Sequence, residues 1–276
     1  MTMNKRFQFT TFLACLFICA AAQEQTIRVF SHRGGRMEHD ENTMAAFQTS
    51  YDAGYRGFET DVRMTKDGDL VITHDTSLER TTNGTGTVEQ KTAAEIRQLD
   101  TKGGHKMLFL DELLDWLKDK NGLYVEFELK TTPVDTYPQD ILEAYCDKLY
   151  KKVMANKPAD AMYLFTSGDY RGLRYLQQKY GCDNLLLITG KPCSDETIDL
   201  CLAMGIKRLG ATMSGSSRSA VKKAHEKGLI VSLWPGQSTD DLVYGAYVGA
   251  DFLCTDIPLE YMKFHQTQMP WLKIVY

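Results

Sequence analysis

His32 and Arg33 follow one short apolar run of the chain, and His74 closes another. Glu59 and Asp61 sit two apart in a β-rich run, as do Glu126 and Glu128, with Lys130 two residues further on. Residues two apart on a strand share a face, so each carboxylate pair points one way. A charge buried on a strand face is costly unless it is paired or holds a metal. Converging carboxylate oxygens suit Ca²⁺ or Mg²⁺ rather than zinc. An imidazole titrates near neutral pH, so His32 and His74 in one site can serve as general base and general acid. Arg33 and Lys130 add fixed positive charge, and a planar guanidinium grips a phosphate with two parallel bonds. Together these groups supply charge neutralisation, Lewis activation and proton transfer, the needs of a displacement at phosphorus. The competing reading is a structural ion network, with Glu59, Asp61 and Glu128 paired by Arg33, Arg63 and Lys130.

These residues need elements that aim them at one place. Short β-rich runs recur at Ile27–Ser31, Gly57–Val62, Leu123–Leu129, Met162–Thr166, Leu185–Thr189, Ile206–Gly210, Leu229–Trp234 and Asp251–Thr255. Amphipathic segments with apolar residues three and four apart separate most of them, at Thr43–Ala53, Asp111–Lys120, Gln139–Met154, Tyr170–Lys179, Asp195–Met204, Arg218–Glu226 and Asp240–Tyr247. Gly54, Gly181, Gly205, Gly228 and Gly249 follow them, where helices stop. Such alternation predicts parallel strands with crossover helices. The chain has 276 residues, and eight units in about 250 residues fit an α/β (β/α)8 TIM barrel better than a doubly wound sheet. Leu70–His74 follows the turn residues Asp67, Gly68 and Asp69, and reads as a hairpin partner of the second strand. The barrel therefore carries a small hairpin and loop insertion there, and the polar stretch from Asp75 to Lys106 is its longest excursion. Polar residues at the C-terminal ends of barrel strands mark the functional face. Composition agrees: 43% hydrophobic and 25% charged residues with net charge −4 exclude a disordered or multi-span membrane chain. No basic face speaks for nucleic acid.

Residues 1–22 read as a secretory signal peptide. Lys5 and Arg6 precede the apolar run Phe12–Ala20, and Ala20 and Ala22 supply small residues for cleavage after Ala22. The run is too short for a stable membrane span. A lipoprotein signal at Cys15 or Cys19 is the weaker alternative. Residues 23–276 then form a single domain, exported to the periplasm or the medium. Five cysteines remain, Cys146, Cys182, Cys193, Cys201 and Cys254. The odd number leaves at least one thiol free or paired between chains. Cys182 could bridge to Cys193 or Cys201 in an oxidising compartment, with buried free thiols as the alternative.

The string HRGGRMEHDENT (His32 to Thr43) resembles the opening motif of the glycerophosphodiester phosphodiesterase family. ETDVRMTKDGDLVITHD (Glu59 to Asp75), LERTTNGTG (Leu78 to Gly86), VEFELK (Val125 to Lys130) and GADFLCTDIP (Gly249 to Pro258) are similar to its later motifs, in order. The resemblance implies hydrolysis of a small glycerophosphodiester to an alcohol and sn-glycerol 3-phosphate. It assigns Glu59, Asp61 and Glu128 to a divalent cation, Ca²⁺ or Mg²⁺, and His32 and His74 to acid/base catalysis. Arg33 and Lys130 would hold the phosphate. Trp234 could pack against the glycerol or be a core aromatic. The implied order is attack by the glycerol 2-hydroxyl, then opening of the cyclic phosphate by water. Several positions depart from the family pattern. Asp40 replaces a proline before Glu-Asn-Thr, and Asn42 and Thr43 can still cap the first helix. The segment after Asp100 is short. Glu126 is an extra acid, which could support the metal or face outward. The alternatives are a phospholipase-D-like or phosphoinositide-specific phosphodiesterase, which an apolar docking rim around Leu108, Phe109 and Leu110 would favour, and a non-catalytic phosphodiester-binding barrel. The sequence leaves the oligomeric state open.

Overall fold

The computed structural model describes residues 26–276. The expected signal peptide, with Cys15 and Cys19, lies outside the described residues. Strands β1 (Thr26–His32), β2 (Gly57–Met64), β4 (Tyr124–Leu129), β5 (Met162–Ser167), β6 (Leu185–Pro192), β7 (Arg208–Thr212), β8 (Ile230–Gly236) and β9 (Phe252–Thr255) are joined in parallel. Pairing of β1 with both β2 and β9 closes them into an eight-stranded TIM barrel. Strand β3 (Leu70–Ile72) is the expected antiparallel hairpin partner of β2. Helices α1 (Met44–Asp52), α3 (Leu110–Leu117), α4 (Gln139–Ala155), α5 (Tyr170–Tyr180), α6 (Asp195–Ala203), α7 (Arg218–Glu226) and α8 (Thr239–Val248) run between strands where periodicity predicted them. Gly54, Gly181, Gly205, Gly228 and Gly249 all adopt positive φ after those helices.

Strand alternation divides the core. Ile27, Val29, Phe58, Val62, Val125 and Phe127 face outward and pack with the helices in the main apolar cluster. Phe30, Tyr124, Leu164, Leu186 and Cys254 face inward and fill the lower barrel. Each large apolar side chain taken from water contributes about 1.5–3 kcal/mol, so shifting one strand's register by a residue would empty both clusters at once. Gly57 faces the lumen, and a Cβ there would fall on the Phe30 side chain. In-register neighbours point the same way, so the pairs His32↔Glu59, Glu59↔Glu126 and Asp61↔Glu128 put the polar residues in the lumen above that apolar floor.

Some elements escape the sequence patterns. The stretch 75–106 is packed rather than open. Its short helix α2 (Ala93–Ile96) and the side chains of Leu78, Val88 and Ile96 join Val71, Met107 and Phe109 in a small separate core. Leu108, Phe109 and Leu110 are buried, so they form no docking rim. Helix α9 (Pro258–Gln268) begins on a proline, and Glu38 accepts hydrogen bonds from Leu259 N at 2.8 Å and Glu260 N at 2.9 Å at its start. Strand β10 (Lys273–Val275) adds beside β1. All five described cysteines are free, and Cys146, Cys193, Cys201 and Cys254 are buried, so the bridges from Cys182 do not form. Among the described residues no helix is long and apolar enough to cross a membrane.

Candidate active site

The C-terminal mouth of the barrel opens into a cavity of about 170 Å³ lined by charged residues on one side, among them His32, Arg33, Glu59, His74, Glu128 and Lys130. The opposite wall and floor come from Phe30, Leu186, Ile188, Gly210, Ser232 and Trp234. Every residue predicted from the sequence lines this cavity, except Asp61, which is fully buried.

β2 presents Glu59 and Asp61, and β4 presents Glu128. One carboxylate oxygen from each lies within 4.8 Å of the others. Glu59 Oε1 is buried without a hydrogen-bond partner. Asp61 Oδ2 accepts from Asn42 Nδ2 at 2.8 Å, and its Oδ1 meets only the Lys130 ammonium at 3.2 Å, outside hydrogen-bond geometry. An orphaned buried carboxylate oxygen is expensive. Three hard oxygen donors around one point fit Ca²⁺ or Mg²⁺. Burial, then repulsion from Asp61 and Glu128, pushes the Glu59 carboxyl well above its ordinary range. Burial pushes Asp61 up as well, but Lys130 and Arg33 outweigh it and leave Asp61 low. A cation among these oxygens would relieve the repulsion.

Arg33 and Lys130 compete for the same acids. Arg33 Nε lies 3.1 Å from Asp61 Oδ2, and Lys130 Nζ lies 2.8 Å from Glu128 Oε1. Arg33 has φ of +54°, a conformation costly for a non-glycine residue and found chiefly where surroundings enforce it. The turn lets its backbone N–H reach Glu59 Oε2 at 3.2 Å while its side chain folds toward Asp61. Arg63 does not join this network. Its guanidinium pairs with Glu89 at 2.7 Å and donates to the carbonyl of His74. Two residues past Asp61 the strand has left the mouth, and the excursion offers the nearer acid.

Each histidine has an aspartate on Nδ1. His32 Nδ1 lies 2.5 Å from Asp256 Oδ1, and His74 Nδ1 lies 2.6 Å from Asp75 Oδ1. An Nδ1–H held this way leaves Nε2 as the nitrogen free for the cavity. His32 Nε2 is 3.6 Å from Glu59 Oε2. Burial lowers both imidazoles below their ordinary value. Asp256 Oδ2 in turn receives Arg36 Nη2 and Gln237 Nε2, each at 2.8 Å. Asp75 Oδ2 receives Arg80 Nε. Reading the sequence by strand position passes over Asp75, Arg36, Gln237, Glu41 and Arg80, because they lie on loops. The adjacent His74–Asp75 pair is the one local signal for any of them.

Four further positions are placed by the fold. Thr43 caps α1, accepting from Ala46 N at 3.1 Å, whereas Asn42 turns away at φ +58° to hydrogen-bond Asp61 and Thr60. Asn42 is thus a site residue, not a cap. Glu126 faces the lumen, not the helices, and accepts a hydrogen bond from Tyr124 Oη. Burial pushes its carboxyl up to about 7, and it stands outside the three-acid group. Trp234 borders the cavity and also packs on the inner apolar cluster, with Nε1 buried and unpartnered.

Known proteins resemble this chain in sequence and fold. The glycerophosphodiester phosphodiesterase of Caldanaerobacter subterraneus is 40% identical over 110 residues, covering 37% of this chain and 45% of that protein. Human glycerophosphodiester phosphodiesterase 1 is 33% identical over 132 residues, covering 45% of this chain and 40% of that one. The matches thus span about half the length of these relatives or less. Among solved structures, an Oleispira antarctica phosphodiesterase in complex with the product sn-glycerol-3-phosphate superposes with a TM-score of 0.77 at 21% identity, covering 88% of this chain and 100% of that one. A glycerophosphodiester phosphodiesterase from Parabacteroides distasonis does so with a TM-score of 0.73 at 19% identity, covering 89% and 98%. At these identities the structures establish the fold. The family model described as the glycerophosphoryl diester phosphodiesterase family matches residues 32–260, from the first site histidine to the last helix, and the chain belongs to that family.

Proposed function

We propose that this protein hydrolyses glycerophosphodiesters to an alcohol and sn-glycerol 3-phosphate. The observation that carries the reading is the pair of aspartate-backed histidines opening on one cavity beside three converging carboxylates. Glu59, Asp61 and Glu128 would hold a divalent cation, which supplies charge neutralisation to the phosphate oxygens. Arg33 and Lys130, which line the same cavity, bind the phosphate. Trp234 lies against the glycerol. One histidine takes the proton of the glycerol 2-hydroxyl as that oxygen attacks phosphorus. The other protonates the departing alkoxide as the P–O bond breaks. Water then opens the cyclic phosphate with the roles of the two imidazoles exchanged. The buried Leu108, Phe109 and Leu110 lend nothing to a membrane-docking phospholipase reading.

The test is release of glycerol 3-phosphate from a panel of glycerophosphodiesters, with Ca²⁺ or Mg²⁺ supplied or chelated. Cation-dependent release is expected, and no release from any panel member overturns the reading. Glu59→Gln should raise the cation concentration needed for half-maximal rate by about tenfold or more. An unchanged titration removes Glu59 from the ligand set. Export by residues 1–22 belongs to the same proposal, and an exported protein beginning at Gln23 is its expected signature by mass spectrometry.

A further inference from the structure

A line of alternating charges crosses the mouth from the acidic group to His74. Arg33 Nε sits 3.1 Å from Asp61 Oδ2, and Arg33 Nη1 donates to Glu41 Oε1 at 3.1 Å. Arg80 Nη1 and Nη2 donate to Glu41 Oε2 and Oε1, both at 2.8 Å. Arg80 Nε donates to Asp75 Oδ2, and Asp75 Oδ1 meets His74 Nδ1 at 2.6 Å. Glu41 stands on the loop after β1 and Arg80 on the excursion after β3, so two independent loops meet in this line.

We propose that Glu41 and Arg80 are positioning residues for His74. Through Asp75 they fix the tautomer and direction of its ring, and through Arg33 they tie that ring to the acids at the cation site. The inference deepens the proposed reaction and rests on His74 acting in it.

Three observations argue for positioning over simple loop stapling. Asp75 is the chain neighbour of His74 and a quarter exposed, so unaided its carboxylate would sample several rotamers and hydrate. The Arg80 guanidinium uses all three nitrogens to hold two carboxylates at once, and it is the planar fork that fixes their mutual angle. A staple needs only contact between loops, yet here Asp75 divides its oxygens, one to Arg80 and one to His74. The same division recurs at the other histidine. Asp256 gives one oxygen to His32 and the other to Arg36 and Gln237, on wholly different elements. What the two arrangements share is the imidazole.

The decisive experiment is nitrogen-15 NMR of the labelled full chain, with the His74 ring signals assigned by their loss in His74→Ala. Wild type should show a single Nδ1–H tautomer. Arg80→Lys keeps the charge on a half-exposed residue but loses the fork, and Glu41→Gln removes its anchor. Both should move His74 toward a mixture of tautomers. In parallel, kcat on glycerophosphocholine should fall by roughly tenfold with KM within about twofold of wild type, and Arg80→Lys should cost nothing further in a His74→Ala background. Unchanged His74 ring signals in both folded variants overturn the proposal. So does an equal rate loss from Arg80→Lys with and without His74, which is what a staple would give. The ring signals need no substrate, so they judge the positioning even if the wild-type chain hydrolyses no glycerophosphodiester and the assigned reaction fails.

Discussion

His32 and His74 meet their aspartates at nearly the same distance, 2.5 and 2.6 Å, but in different surroundings. Asp256 comes from the end of the last barrel strand and its side chain is fully buried. Asp75 is the next residue along the chain from His74, and its side chain is a quarter exposed. The first pair forms because the barrel closes: β9 must lie beside β1 before Asp256 can reach His32. The second pair is local in sequence and is held by loop residues from outside the barrel. One histidine is oriented by the fold, the other by a clamp laid over it. A site built this way can vary its loops without disturbing the histidine that the barrel holds.

The largest effect that tests this comparison is removal of each imidazole. His32→Ala and His74→Ala should each lower turnover of glycerophosphocholine by about 10²–10⁴-fold, the usual worth of a positioned acid or base. Neither change should unfold the chain, because the partners of each histidine keep other bonds. Near-full turnover in either variant would take that histidine out of the mechanism.

The next effect separates the two aspartates by stability. Asp256→Asn leaves the buried end of β9 without a counter-charge for Arg36. Breaking a buried pair from one side costs about 3–5 kcal/mol, and since Arg36 stays 29% exposed the lower end applies. For a chain of this size that lowers Tm by roughly 6–12 °C. Asp75→Asn breaks more exposed pairs and should cost under about 1 kcal/mol, while still lowering the rate. Thermal melts of the two variants beside their rates test this. Equal losses of Tm would show that burial is not what distinguishes the pairs.

The same contrast explains what the sequence makes legible. Strand alternation reaches all eight barrel strands, the hairpin at Leu70 and the lumen-facing Glu59, Asp61 and Glu128, because period-two burial is a local property of each run. It places Glu126 on the same face as Glu128 but says nothing of Tyr124 Oη reaching it, a contact within one strand face. Arg63 misleads for the opposite reason. Its spacing suits the acid cluster, yet Glu89, on an excursion with no periodic pattern, takes it away. Asn42 reads as a cap from its place before the helix, and only the positive φ that turns it toward Asp61 shows otherwise. The clamp of Glu41 and Arg80 joins residues 39 positions apart on two loops, a pairing no local periodicity encodes. Strand β10 has three residues, too few for any periodic signal.

The smallest effect is a slope. The ion pairs around Asp256 hold its carboxyl down at about 2 against the opposing pull of burial, and Asp75 is also held at about 2. An unfolded aspartate titrates near 3.9. A depressed carboxyl contributes stability that is fully present above that value and is lost as pH falls through the folded one. Wild type should therefore lose stability between about pH 4 and pH 2, measured as the urea midpoint at stepped pH, faster than Asp256→Asn does. The other acids are common to both proteins, so their contribution cancels in the difference. The Arg80 partner of Asp75 is about half exposed, and water screens their pair. Asp75→Asn should accordingly flatten the slope less than Asp256→Asn does. The gap between wild type and Asp256→Asn should then narrow toward pH 2, leaving only the packing share of the loss. A gap that stays constant across that range would mean that Asp256 serves His32 through shape alone, and the charge argument for the fold-held histidine would fall.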